Sequence, residues 1–330
     1  METVQMSHGD GGKYSADLIQ NVFMRYFGNE ISAGMNDAAV VELPGKLAFT
    51  SDSFVVTPLF FPGGDIGRLA VCGTVNDLLT SGAAPRYLSA CFILEEGLAL
   101  DDLEKVCQSM ADTAAEAGVK IITGDTKVIG SMGGETKNLF INTAGIGALS
   151  APEISFSSVE PGDALIVTGT LGDHHACIMS RRMNIQNTVQ SDAAPLTAIV
   201  SALREGGVPL HGMRDVTRGG LATICRELSD AAHVAVDLSE VSLPVSPEVA
   251  GFCKILGLDP LYMGNEGKML IVVPAAEAEA VVEIIQSQPY GKNAAVIGKL
   301  LPGTDVTMNT RLGGRRLVPP LVNEGLPRIC

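Results

Sequence analysis

Four aspartates in the first half of the chain stand apart from its other acidic residues. Asp37, Asp52, Asp77 and Asp125 each sit among small or apolar neighbours, at strand ends and loops, not in a run of solvated charge. Magnesium is held by one or two carboxylates and completes its shell with water and phosphate oxygens, so several phosphate-bridging ions need several such aspartates. Lys127, two residues after Asp125, adds a cation able to meet a terminal phosphate. Taken singly, each aspartate reads equally as a helix or turn cap. Taken together, they read as a cradle for metal and polyphosphate.

The second half offers different chemistry. The run RDVTRGG at 214–220 places arginines beside a glycine-opened helix, which is either an anion site or an Arg–Asp pair next to a turn. Glu266, in NEGK at 265–268, is either a general base or a turn residue. His174 and His175 are adjacent at a helix start, where neighbouring side chains diverge, so a shared metal is not expected. Several common sites are absent: no P-loop, no HExxH, no GxSxG, and no third glycine that would make Gly145 and Gly147 part of a dinucleotide fingerprint.

Of seven cysteines, no two lie closer than sixteen positions, so neither a CxxC zinc pair nor a redox motif exists. Six sit in apolar stretches and read as small core residues. Cys330 is the last residue, and an exposed terminal thiol invites oxidation, so its presence calls for a reason.

The elements that must position these groups follow from periodicity. A helix with Leu18, Ile19, Val22, Phe23 and Tyr26 on one face starts near Ser15. A strand over 46–50 leads to Asp52, and a buried helix over 65–81 carries Asp77. A helix capped by Asp101 or Asp102 turns Leu103, Val106, Cys107, Met110 and Ala114 inward, and a strand over 119–123 runs directly into Asp125 and Lys127. Another strand follows at 139–143. After Ser150-Ala-Pro152 the pattern restarts, with strands at 164–167, 234–237, 268–273 and 294–297 and helices at 221–231, 247–256 and 275–288. From Arg315 regular periodicity stops, and prolines mark an extended tail. Two α/β domains followed by a tail are predicted.

Composition limits the partners. The net charge of −14 argues against a duplex-binding face, and with no Trp and 5% aromatics no stacking platform for single strands is visible. Hydrophobic residues at 46% against 18% charged exclude a disordered chain. No apolar run reaches the ~20 residues that span a bilayer, and the first twelve residues lack a signal-peptide pattern. A soluble cytoplasmic protein with no nucleic-acid or membrane partner is expected.

The motifs HGDGG (8–12), TSDSF (50–54), DIGRLAVCGTVND (65–77), FILEEG (92–97), TGDTK (123–127), RDVTRGG (214–220), NEGK (265–268) and PRIC (327–330) span nearly the whole chain. In them it resembles the HypE family, hydrogenase-maturation carbamoyl dehydratases of the PurM-like superfamily, with the terminal PRIC the most specific feature. The aspartate motifs alone would also fit selenophosphate synthetase, thiamine-monophosphate kinase or aminoimidazole ribonucleotide synthetase relatives. The resemblance implies a two-domain α/β (α+β) PurM-like fold. An N-terminal domain (1–150) would bind ATP and form a β-barrel jointly with a second copy, followed by a C-terminal α/β domain (151–314) and a tail (315–330).

It further implies that HypF delivers a carbamoyl group to Cys330, that ATP drives its dehydration to a thiocyanate, and that the cyanide passes to a HypC–HypD complex for a nickel-iron hydrogenase. The roles implied are catalysis by Cys330, Lys127 and Glu266, ATP contacts from Asn76, Thr126 and Lys127, and Mg2+ binding by Asp37, Asp52, Asp77 and Asp125. Relatives often carry paired aspartates where this chain has Asn36-Asp37. The tail is expected to swing outward for carbamoylation and inward for dehydration. Two alternatives are an ATP-dependent small-molecule kinase or synthetase of the same superfamily, and a non-catalytic scaffold that presents a thiol.

Overall fold

The computed structural model describes residues 2–36, 38–134 and 136–321. Asp37 and Cys330 therefore lie outside the described residues.

The first half begins with α1 (Lys13–Leu18), a π-helical turn (Ile19–Phe23) and α2 (Met24–Phe27). There follow β1 (Lys46–Phe54), the short pair β2 (Phe60–Phe61) and β3 (Gly64–Asp65), α3 (Ile66–Thr80), β4 (Ala84–Glu95), α4 (Leu100–Ala117), β5 (Lys120–Ile129) and β6 (Leu139–Leu149). Strands β1, β6, β4 and β5 form a sheet in that order, so β1 and β5 are its two edges. Both edge strands run further than their apolar runs predict. Asp52 lies opposite Thr143 of β6, and Asp125 opposite Cys91 of β4, so both sit inside strands, not at strand ends. Ladder hydrogen bonds from β6 and β4 carry the polar stretches TSDS and GDTK as strand.

Helix α3 is the packing centre. Asp65 caps it by accepting from the N–H groups of Gly67 and Arg68 at 2.7 and 3.0 Å. Almost every residue from Ile66 to Leu79 is buried, consistent with a run that is apolar all round. The helix lies so close to the sheet that a Cβ on Gly145 of β6 would sit 2.7 Å from Thr74. Helix α4 buries the predicted stripe, but its N-cap is Ala99, and Asp101 and Asp102 occupy its first turn, where the helix dipole favours them. Strand β4 went unpredicted because Pro85 near its start reads as a break.

The second half comprises β7 (Asp163–Val167), α5 (Asp173–Arg182), α6 (Thr197–Glu205), β8 (Gly212–Asp215), α7 (Gly220–Ala232), β9 (Val234–Ser239), α8 (Pro247–Leu256), β10 (Met269–Pro274), α9 (Ala278–Gln286), β11 (Ala295–Pro302), β12 (Val306–Asn309) and β13 (Arg315–Leu317). Its sheet runs β13-β12-β9-β11-β7-β10-β8. In β7 and β10 alternate residues join two separate cores, Leu165, Val167, Leu270 and Val272 on one face and Ile166, Ile271 and Val273 on the other. Burial on both faces is why these strands are continuous apolar runs, not alternating ones. The stretch predicted to open the tail differs: Arg315–Leu317 pairs with β12, and Val318 is buried.

The halves are clasped through α3. Asn76 donates to Ala194 O at 3.0 Å and accepts from Leu196 N at 2.9 Å, and Arg68 donates to Ala193 O at 2.6 Å. The C-terminal part of α3 also packs against β8.

Candidate active site

Where α3 meets β8, a cleft of about 540 Å³ opens along the β1 edge of the first sheet. Strand β1 supplies Asp52, α3 supplies Asp77, β8 supplies Arg214 and Asp215, and the β8–α7 connection supplies Arg218, while Glu266 completes the lining. Thr50 donates its hydroxyl to Asp77 Oδ2 at 2.9 Å. Burial pushes the Asp77 carboxyl up to about 6, and the charges of Asp215 and Asp52 add to the effect. Burial raises Asp215 as well, against the pull of Arg214. Carboxylates that hinder one another's ionisation are a ready seat for a cation. Among the described residues, no three His, Cys, Asp or Glu side chains converge closely enough to form a metal shell by themselves.

Glu266 is buried yet opens on this cleft, and its position is fixed by its backbone. Its N–H donates to Asp192 Oδ1 at 3.0 Å, and the other oxygen of Asp192 is 3.0 Å from the Lys268 ammonium, both side chains being buried. Gly267 is required between them, since a Cβ there would lie 1.9 Å from Asp192 O. The Asp192–Lys268 pair was not anticipated; its members are 76 residues apart, and only NEGK hinted at one of them. Gly219 and Gly220 both adopt positive φ at the start of α7, and a Cβ on Gly220 would lie 2.4 Å from Leu261 O. Gly220 thus permits close packing of the 261–263 backbone, while Arg214 is held by Glu227 of α7 at 3.1 Å.

Asp125, Thr126 and Lys127 lie at the opposite edge of the same sheet. They border a second cavity of about 450 Å³, lined by the apolar side of the N-terminal helices, Phe92 and Ile121. Its wall includes the π-helical turn, a feature frequent at functional sites. Lys127 Nζ is 2.8 Å from Asp125 Oδ2, and this contact lowers the Asp125 pKa. Three strand spacings separate β1 from β5, about 14 Å at ~4.8 Å each. Asp52 and Asp77 therefore come together within one chain, and Asp125 and Lys127 do not join them. Asn76, expected to touch the nucleotide, is buried with both ends of its amide bonded to the 194–196 backbone.

Residues 35–149 match the family model described as AIR synthase related protein, N-terminal domain, and residues 160–310 match the corresponding C-terminal domain. The chain is 45% identical to the carbamoyl dehydratase HypE of Rhodobacter capsulatus, over 100% of this chain and 98% of that protein. The crystal structure of hydrogenase maturation protein HypE in complex with ATP superposes with a TM-score of 0.95 at 44% identity, covering 99% of this chain and 100% of that one. That of a HypE–HypF complex superposes at 0.81 and 45% identity, covering 92% and 99%.

Proposed function

This chain belongs to the HypE family of carbamoyl dehydratases, with its two-domain mixed α/β fold, and from that premise we propose that it converts an S-carbamoyl group on Cys330 into a thiocyanate at the expense of ATP. The observation that carries this reading is the cleft that gathers Asp52, Asp77, Arg214 and Arg218 around the buried Glu266. HypF supplies the carbamoyl group, and a HypC–HypD complex takes the cyanide for a nickel-iron hydrogenase.

A thiocarbamate oxygen is a poor leaving group, and phosphorylation makes it a good one. The carboxamide oxygen attacks the γ-phosphorus of ATP and ADP leaves, while one amide proton passes to Glu266. Breaking the C–O bond then releases phosphate, which departs with the second amide proton, and leaves S–C≡N on Cys330. Asp52 and Asp77, with Asp37, would hold the magnesium ions, and Arg214 and Arg218 face phosphate oxygens. Magnesium supplies charge neutralisation on the triphosphate.

Lys127, Thr126 and Asp125 take part through a second copy. Strands β1 and β5 are both unpaired edges, and β1 exposes Phe49 at 72%. A homodimer that joins one copy's β1 edge to the other's β5 edge in a common barrel places Asp125 and Lys127 opposite Asp52 and Asp77. We divide the chain into a first domain over 1–150 and a second from 151, as the two family matches support, with the second running past the expected boundary at 314 through β13 to the buried Val318. No helix among the described residues is long and apolar enough to cross a membrane, and we place the protein in the cytoplasm.

Intact mass tests the function. Incubation with HypF, carbamoyl phosphate and ATP is expected to add about 43 Da at Cys330 and then remove about 18 Da. Absence of the adduct overturns the reading.

A further inference from the structure

One stretch of the second half is buried yet forms neither helix nor strand. Residues 191–196, SDAAPL, run as a strap between α3 and the 265–268 turn, and every one of them but Asp192 is buried. A buried segment without a ladder must find partners for its backbone elsewhere.

Helix α3 supplies one side. Arg68, Cys72 and Asn76 follow at four-residue intervals and so share a face. Arg68 donates to Ala193 O at 2.6 Å, and Asn76 donates to Ala194 O at 3.0 Å and accepts from Leu196 N at 2.9 Å. The neighbouring row, Gly73 and Asp77, faces β1: Asp77 accepts from Thr50, and a Cβ on Gly73 would lie 3.6 Å from Asp52 Oδ2. The pin on the strap and the carboxylate in the cleft are consecutive residues.

Glu266 supplies the other side, through its backbone. Its N–H donates to Asp192 Oδ1 at 3.0 Å, and its carbonyl accepts from Ala194 N at 3.4 Å. The start of the strap is anchored as well. Ser191 donates its N–H to Pro62 O at 2.8 Å, and its hydroxyl pairs with His174 Nδ1 at 2.7 Å and accepts from Ala193 N at 3.1 Å. Two hydrogen bonds through Ala194 therefore connect Asn76 to Glu266.

We propose that Asn76 and the 191–196 strap are a positioning device that holds Glu266 in register with Asp77, so that the base and the metal-binding carboxylate stay one rigid unit across the boundary between the halves. This deepens the dehydratase reading and rests on it. A misplacement of ~1 Å at a reacting group costs about 10²-fold in rate, and a strap bonded from both halves has few ways to shift.

Chains carbamoylated on Cys330 are mixed with saturating ATP, and the loss of about 18 Da is timed over a single turnover. Asn76→Leu, close in volume but without polar atoms, is measured alone and in a Glu266→Gln background. A device that acts through Glu266 matters only while Glu266 is present. The expected result is a fall of about 10²-fold in the first case and of less than about threefold in the second, with the Kd for ATP unchanged. Ser191→Ala, which loosens the strap at its anchored start, should give the same pattern at about tenfold and serves where Asn76→Leu folds poorly. Amide hydrogen exchange over 262–269 is expected to quicken about tenfold in either variant, with exchange in β4 unchanged. An equal fall in both backgrounds, a Kd for ATP that rises in step with the loss of rate, or unaltered exchange over 262–269 overturns the positioning role. A wild-type chain that loses no mass overturns instead the function on which the role rests.

Discussion

The two edges of the first sheet carry aspartates in opposite electrostatic states. At the β1 edge Asp77 is pushed up to about 6 by burial and by Asp215 and Asp52. At the β5 edge Asp125 is exposed and held below its ordinary range by Lys127. The first edge therefore stores repulsion that an incoming cation relieves. At the second, the Lys127 ammonium already lies against the Asp125 carboxylate. The two edges differ in what they offer a ligand: one has carboxylates and arginines around Glu266, and the other has a lysine beside an apolar cavity.

The contrast can be broken in order of expected effect. Glu266→Gln keeps the shape of the cleft but removes the base, and single-turnover dehydration is expected to fall by about 10²–10⁴-fold with ATP affinity retained, measured by mass and by equilibrium binding. Retention of the wild-type rate would assign proton removal elsewhere.

The next test asks whether the edges meet across a dimer. Asp77→Asn and Lys127→Ala chains, each inactive alone, are mixed under conditions that exchange subunits. One site in each heterodimer then has both residues intact, so about a quarter of wild-type activity should return. A mixture as inactive as its parents means the edges serve separate purposes.

The smallest effect is in pH and stability. Activity should decline as pH drops through about 6, where Asp77 takes a proton and loses its hold on a cation. Stability of the nucleotide-free chain should move oppositely. An acid whose folded pKa exceeds its unfolded value binds more protons when folded, so stability rises as pH falls from about 7 toward about 4. Asp77→Asn should remove this residue's share of that slope, leaving the contribution of Asp215, and raise the neutral-pH melting midpoint by about 2–4 °C. Calorimetry across this range checks both.

Much of this was legible in the sequence, for reasons that can be located. The α3 run announces itself because a helix buried on all sides must be apolar on all sides, and its Asp65 cap sits at a fixed offset. The α4 stripe is equally plain, since one face alone is buried. Asp52 and Asp77 stood out as carboxylates among small or apolar neighbours, Glu266 stood out only through its NEGK motif, and all three line one cleft. What could not be read depended on pairing across long separations. Asp52 and Asp125 looked like strand ends because ladder bonds to β6 and β4 are invisible in a polar stretch. Nothing local in the sequence shows that the Asn76 amide bonds the backbone of residues 194 and 196. Asp192 and Lys268 meet only through the fold.

Helix α3 has a further consequence, for how the protein can be taken apart. It belongs by sequence to the first half, yet it clasps the 194–196 backbone, packs on β8 and presents Asp77 to the cleft. A fragment ending near residue 150 would leave an apolar helix face and the polar ends of Asn76 without their partners. A fragment starting there would lack the surface on which β8 and α6 rest. Neither piece is self-sufficient, so unfolding should be a single cooperative transition. Split versions of the chain should regain structure only when both pieces fold in each other's presence.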